Sequence, residues 1–268
     1  MPEYKEHFVA FLDILGFKSM INNFECGAIY DIFAAIHKRS KAFMNYNGVQ
    51  IGAYEHIHHK ILSDSVILYI DASIEDSFPA LLDICARLQI SLADRDIPIL
   101  MRGGISKGSL YVENDIIYGK GLTSAYLLES NLAKYPRVIF TGETLLEGKL
   151  ITKYMFPDID HAGFCAHYIS DDDMLYMIDY FPRLSAWSVE KMKEYCDNLL
   201  LLSEKVLNKA TDASLREKYI WLKKYVKQSI ERVSNLQEIY RKEEEEKRER
   251  DFAEYTALFS IYEEAENA

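Results

Sequence analysis

The chain has 268 residues, and 42 acidic against 31 basic side chains give it a formal charge of −11 with histidines neutral. Holding nucleic acid by counterion release takes a basic face, which here would have to be carved out of an acidic whole, so the balance argues against a nucleic-acid partner. Apolar residues at 49% and charged residues at 27% supply a sizeable core and exclude global disorder.

In chain order, His7-Phe8-Val9-Ala10-Phe11-Leu12-Asp13 is a nearly unbroken apolar run that predicts a central strand buried on both faces and ending on a carboxylate. Gly16 follows. Ile21, Phe24, Ile29, Ile32, Phe33, Ile36 and Phe43 then recur at three and four spacing, predicting one helix from Ser19 to about Tyr46. Ala53 to Leu62 and Val66 to Asp71 read as two strands joined by Ser63-Asp64-Ser65, a hairpin with Asp64 at its tip. A helix is predicted from Asp76 to Ala93, and a strand from Ile99 runs through Gly108 into a second hairpin around Asn114-Asp115. Gly119-Lys120-Gly121 opens a helix from Thr123 to Lys134, followed by a strand over Arg137 to Thr141. It lacks the Gly-Lys-Ser/Thr ending of a P-loop and reads as a helix entry turn.

A further hairpin is expected from Cys165 to Ile169 and Leu175 to Tyr180, then long helical periodicity from Ser188 to Lys247 and a short amphipathic helix over Phe252 to Tyr262. The order β-α-β-β-α-β predicts an α+β, ferredoxin-like core with added αβ elements and an appended helical hairpin. Residues 1–182 are assigned to the first part and 183–268 to the helical extension, packed on the core or on a dimer partner. Apolar runs such as Val66 to Ile70 fall far short of the roughly 20 residues of a membrane helix. The start, Met-Pro-Glu-Tyr-Lys-Glu-His, has no signal-peptide pattern, so a cytoplasmic location without membrane attachment is expected. Cys26, Cys85, Cys165 and Cys196 show no Cys-x-x-Cys spacing and are expected to be reduced core residues.

Chemistry concentrates at two carboxylates. The β-α-β-β order lays the first strand beside the hairpin, so Asp13 and Asp64 can converge at one sheet edge. Two such groups repel unless a cation lies between them, and Mg²⁺ or Mn²⁺ takes hard oxygen ligands while leaving room for phosphates and water. A pair of ions about 3.5 to 4 Å apart serves in-line displacement at phosphorus. Gly16-Phe17 would offer backbone N–H groups to a triphosphate. An Asp at a strand end is ordinarily a cap and Asp in a turn is commonplace; the conjunction is what points to a cation site. His56 and His58 are expected on one face of a solvated strand, with no spacing that completes a zinc site.

These residues carry a resemblance. Phe11-Leu12-Asp13-Ile14-Leu15-Gly16-Phe17 resembles the first metal motif of class III nucleotide cyclases, and Lys60-Ile61-Leu62-Ser63-Asp64-Ser65 resembles their Lys-x-x-Gly-Asp hairpin with Ser in place of Gly. Arg102-Gly103-Gly104-Ile105-Ser106-Lys107-Gly108 is similar to their Arg-x-Gly-Ile-x-x-Gly strand, and Tyr118-Gly119-Lys120-Gly121-Leu122-Thr123-Ser124-Ala125 to a later strand-to-helix segment. The resemblance implies that Asp13, Asp64 and the Ile14 carbonyl hold two Mn²⁺ or Mg²⁺ ions and that Lys60 reads the base. Gly16, Phe17, Arg102 and Thr123 complete the expected substrate contacts. The implied reaction is attack of a 3′-hydroxyl on the α-phosphate of a nucleoside triphosphate, releasing pyrophosphate.

Departures narrow the expectation. Purine cyclases carry an adenine-reading Asp where this chain has Ile116, and helix Asn and Arg where it has Thr123 and Leu127. Arg102, Lys107, Lys134 and Arg137 are the cations that could replace that Arg. Tyr135-Pro136-Arg137-Val138, Asp173-Met174-Leu175-Tyr176 and Lys218-Tyr219-Ile220-Trp221-Leu222 extend the likeness toward the pyrimidine cyclases of bacterial Pycsar anti-phage systems. That resemblance implies UTP or CTP as substrate, a homodimer, and a separate effector that responds to the cyclic nucleotide. A purine cyclase, and a degenerate cyclase fold used for binding or assembly, stand as the alternatives.

Overall fold

A computed structural model of the protein describes residues 2–42, 52–150, 168–171 and 173–232, together with Glu238, Lys242 and Glu245. The elements are β1 (Lys5–Ile14), α1 (Phe17–Asn23), α2 (Cys26–Ala42), β2 (His58–Leu62), β3 (Ser65–Asp71), α3 (Ser77–Ala93), β4 (Met101–Glu113), β5 (Ile116–Tyr118) and α4 (Lys120–Asn131). Then come β6 (Val138–Phe140), α5 (Gly142–Leu150), β7 (Tyr168–Ser170), β8 (Tyr176–Ile178), α6 (Val189–Lys209) and α7 (Ala213–Arg232). The strands pair in the order β2-β3-β1-β4-β6-β8-β7, with β5 hydrogen-bonded to β4. Strand β1 is antiparallel to both β3 and β4. The first four strands therefore have the 2-3-1-4 order of the ferredoxin-like βαββαβ unit, and the α+β architecture is as the sequence predicts.

Alternation splits β1 between two cores. Phe8, Ala10, Leu12 and Ile14 face α3, where Phe78, Leu81, Leu82 and Ile84 are fully buried. Val9 and Phe11 face the other way, into a smaller cluster with Ile67, Tyr69, Leu110 and Ala125 of α4. Both faces of β1 are dry, which is why its run is continuously apolar. Helix α4 lies very close to β4 because glycines line the contact. A Cβ on Gly108 would meet Gly121 N at 2.8 Å, and one on Gly104 would meet Glu129 N at 2.9 Å.

The appended helices join the main core through Leu199, Leu222, Tyr225 and Val226. Tyr225 Oη donates to Asp179 Oδ1 at 2.8 Å, and Lys191 Nζ pairs with Asp94 Oδ1 at 2.7 Å, tying α7 to the chain after β8 and α6 to the end of α3. Among the described residues no helix is long and apolar enough to cross a membrane.

Several expectations need correction. The single helix from Ser19 is two, broken where Phe24 turns extended (φ −110°, ψ 145°); the backbone breaks inside an apolar periodicity that marks burial and not continuity. The expected strand from Ala53 is a 3-10 turn over Gly52–His56, and β2 begins only at His58. His56 is therefore not a strand neighbour of His58. It reaches the same cavity, of about 490 Å³, from the turn, with His7, Tyr69 and Asp71. Cys26 is exposed, whereas Cys85 and Cys196 are buried as expected. The segments around His161, Cys165 and His167, residues 43–51 and the amphipathic stretch from Phe252 lie outside the described residues.

Candidate active site

Asp13 is the penultimate residue of β1, paired in register with Ser65 on β3 and Arg102 on β4. Asp64 occupies the β2–β3 turn immediately before Ser65, where Ser63 takes a left-handed conformation (φ 55°). The Asp64 carbonyl accepts the Ile14 N–H at 3.1 Å, which pins the turn to the end of β1. The two sequence-predicted carboxylates therefore belong to one corner of the sheet. They also feel each other: burial pushes the Asp13 carboxyl above its usual range, Arg102 opposes this, and the Asp64 charge pushes it further up.

A third carboxylate completes the corner. Glu129 projects from α4, one turn after the buried Ala125, and is itself 3% exposed. Arg102 Nε lies 3.1 Å from Asp13 Oδ2 and 2.8 Å from Glu129 Oε1, and its Nη1 points at the Ala133 carbonyl at 3.5 Å. Burial raises Glu129, Arg102 opposes, and the charges of Asp13 and Asp64 add to the rise. The sequence analysis assigns Glu129 no role. The available signal was an acid on the small, buried stripe Gly121–Ala125–Glu129 of an amphipathic helix, where a charge is rare unless paired.

The other expected residues are distributed around this corner. Lys60 shares the α4-side face of the sheet through its register with Ile67, and its Nζ donates to the Asn114 carbonyl at 2.6 Å. It stands two strands and one residue pair from Asp13, about 12 Å at strand spacings. Gly16 holds the left-handed position (φ 80°) that starts the seven-residue α1, and Phe17 packs edge-on against Phe33 with ring centres 5.7 Å apart. Thr123 Oγ1 is turned back to the Gly119 carbonyl at 3.1 Å. Of the cations considered in place of a helix Arg, Arg102 is engaged by Asp13 and Glu129. Lys107 pairs with Glu147 at 3.2 Å and the buried Arg137 with Asp171 and Asp173.

Among the described residues no cluster of three or more His, Cys, Asp or Glu is arranged to hold a metal ion. Asp13 and Asp64 nevertheless fit Mg²⁺ or Mn²⁺, because such ions are commonly held by one or two carboxylates with substrate phosphates and water filling the remaining positions. Burial is the largest cause of the raised Asp13 carboxyl; Arg102 opposes it and the Asp64 charge adds to it.

No family model and no curated protein matches the chain. Among solved structures it is similar to the adenylyl cyclase CyaB from P. aeruginosa, with 16% identity and a TM-score of 0.46 over 67% of this chain and 96% of that one. It is also similar to the guanylate cyclase domain of RhGC from Catenaria anguillulae in complex with GTP, with 12% identity and a TM-score of 0.46 over 66% of this chain and 97% of that one. An adenylate/guanylate cyclase/hydrolase from Silicibacter pomeroyi matches with 14% identity and a TM-score of 0.43, over 66% and 96% of the two chains.

Proposed function

We propose that the protein is a nucleotide cyclase that converts UTP or CTP to the 3′,5′-cyclic monophosphate and pyrophosphate. The observation that carries the reading is the meeting of Asp13 and Asp64, from separate β-elements, in a corner where burial and mutual repulsion raise the Asp13 carboxyl. Two Mn²⁺ or Mg²⁺ ions bound there would activate the attacking hydroxyl and stabilise the leaving oxygen. The residues of the chain do the positioning. Asp13 and Asp64 present oxygen ligands, Arg102 and Glu129 fix the orientation of Asp13, and Lys60 stands far enough along the sheet face to meet a base whose α-phosphate lies at the corner. In the reaction a bond forms from the 3′-oxygen to the α-phosphorus as the bond from that phosphorus to the bridging oxygen breaks; pyrophosphate leaves with the bridging oxygen, and the hydroxyl proton passes to water.

The pyrimidine preference rests on the family resemblance and on Ile116, an exposed apolar residue where an adenine-reading carboxylate would stand. A homodimer, and a cyclic-nucleotide-responsive effector in anti-phage defence, follow from the same resemblance. The half-exposed Tyr126 and Leu127 on α4 suit the dimer.

The test is incubation of the purified chain with each of the four ribonucleoside triphosphates and Mn²⁺, with the product identified by mass. A cyclic pyrimidine monophosphate is expected, and Asp13→Asn and Asp64→Asn should each abolish it while the fold is retained. Turnover of ATP or GTP alone overturns the pyrimidine assignment. One observation favours a binding role instead: Arg102 already lies between Asp13 and Glu129, so part of the corner is neutralised by the chain itself. That reading gains if Asp13→Asn and Asp64→Asn change neither Mn²⁺ binding nor turnover.

A further inference from the structure

Arg102 governs how Asp13 is held, and one turn holds Arg102 at two points. The turn, residues 132–137, joins α4 to β6. The Arg137 carbonyl accepts the Gly103 N–H at 3.0 Å, fixing the peptide that follows Arg102, and the Ala133 carbonyl accepts from Arg102 Nη1 at 3.5 Å. So placed, the guanidinium turns its Nε to Asp13 at 3.1 Å and to Glu129 at 2.8 Å. The turn is closed on itself: the Ala133 N–H donates to the Leu128 carbonyl at 2.9 Å and the Arg137 N–H to the Tyr135 carbonyl at 2.7 Å.

The side chains of the same turn are held by other elements. The Tyr135 ring stacks on Trp221 of α7, with centres 5.5 Å apart and planes 5° from parallel, and the indole also stacks on Tyr225 at 5.2 Å and 16°. The buried Arg137 guanidinium is bound by Asp171 and Asp173 in the β7–β8 turn, and lies 5.2 Å from the Tyr135 ring centre and 5.9 Å from that of Trp221. Trp221 Nε1 closes the circuit by donating to Asp171 Oδ2 at 3.2 Å. Pro136 stands between Tyr135 and Arg137 with its own φ fixed, so ring, guanidinium and turn backbone have little freedom to move separately. Docking of α7 has apolar contacts of its own, through Leu222 and Val226 in the main core. The knot around Trp221 adds a link that ends on the atoms beside Arg102.

We infer that Trp221 is a positioning residue for the Asp13–Asp64 corner: through Tyr135 and Arg137 it fixes the 132–137 turn, and through that turn the Arg102 guanidinium that orients Asp13. The C-terminal hairpin thereby becomes a working part of the site without supplying a group to the substrate. The inference rests on the cyclase reading for what Asp13 does, and on the contacts alone for the coupling of Trp221 to Arg102.

A double-mutant cycle in the full chain, read by urea unfolding, tests the coupling. One arm is Trp221→Phe, which keeps a ring for the stack and loses the N–H, or Trp221→Leu, which loses both. The other is Arg102→Lys, which keeps a charge beside Asp13 and loses the forked set of donors. The unfolding constant of each double variant should depart from the product of the single effects by about 3- to 100-fold. Trp221→Phe combined with Lys107→Met, which breaks only the pair with Glu147, should multiply to within about twofold. A departure under about threefold in the Arg102 cycles, or one as large in the Lys107 control, overturns the inference; where Trp221→Leu does not fold, the Phe arm decides. Steady-state kinetics supply the second readout. Trp221→Leu should lower kcat by about 10- to 100-fold while KM for the triphosphate stays within about threefold, and Trp221→Phe should keep most of the rate. A Trp221→Leu protein with full kcat also overturns the inference. A wild type that shows the coupling yet turns over none of the four triphosphates rejects the cyclase reading alone.

Discussion

Replacing Gly104 by Ala tests how the corner is assembled. A Cβ at Gly104 would lie 2.5 Å from Leu128 Cβ and 2.9 Å from Glu129 N, against the 3.4 Å at which ordinary contact begins, so α4 has to retreat by roughly 1 Å. The neighbours include helix backbone, which cannot swing aside as a side chain would. Overpacking of this kind costs about 1–3 kcal/mol, which for a chain of this size lowers the melting temperature by roughly 2–12 °C. The same retreat carries Glu129 away from Arg102, now 2.8 Å apart, and releases the guanidinium that orients Asp13. A 1 Å misplacement of a catalytic group can cost about 10²-fold in rate. Gly27→Ala is the control, since that position has open space around it and removing a glycine there should be neutral or stabilising by up to about 1 kcal/mol. Scanning calorimetry and steady-state turnover read both variants. A Gly104→Ala protein that melts and turns over like Gly27→Ala would refute the claim that close approach of α4 to β4 builds the site.

Three other outcomes follow from the packing. Asp83 is fully buried on α3 and holds the Tyr54 hydroxyl, Arg87 Nε at 2.7 Å and Arg183; Asp83→Ala should cost about 3–5 kcal/mol in urea unfolding, because it strands two guanidinium groups, and a loss under 1 kcal/mol would contradict this. In the native protein a thiol reagent should label Cys26 quickly, while Cys85 and Cys196, the latter pushed up to about 12 by burial, should react only on denaturation. For Asp173, burial raises the carboxyl, but Arg137 and the Leu175 N–H outweigh it and hold it below the usual range. A carboxyl lowered in the folded state stabilises above its unfolded value, near 3.8, and that contribution disappears as pH falls through the folded value. The stability gap between wild type and Asp173→Asn should therefore be constant above about pH 5 and close below about pH 4; a gap that widens in acid would reverse the assignment.

The parts of the fold that were legible in the sequence are those where one local pattern has one structural solution. The run from Phe8 to Leu12 is apolar at every position because both faces of β1 are covered, and Ser63-Asp64 between two β-rich runs admits little but a turn. The parts that were not legible are those where burial and backbone geometry separate. Phe24 continues the helical spacing and yet ends α1, none of whose residues is buried. Ala53 and Tyr54 are as dry as strand residues but lie in a 3-10 turn. Cys26 sits on the exposed start of α2, where the burial tendency of its residue type had no neighbours to act through.

The same distinction governs the site. Asp13 and Asp64 could be paired from the sequence because strand order alone brings β1 beside the hairpin. Glu129 could not, since its arrival depends on α4 crossing β4 at a separation that only Gly104, Gly108 and Gly121 permit. The residue that was missed completes the charge logic of those that were found. Asp13 and Glu129 share the guanidinium of Arg102 while the Asp64 charge acts on both, inside a chain whose formal charge is already −11. On the proposed reading such a corner would repel a bare triphosphate and admit one that arrives with divalent cations, so that metal and nucleotide would bind jointly.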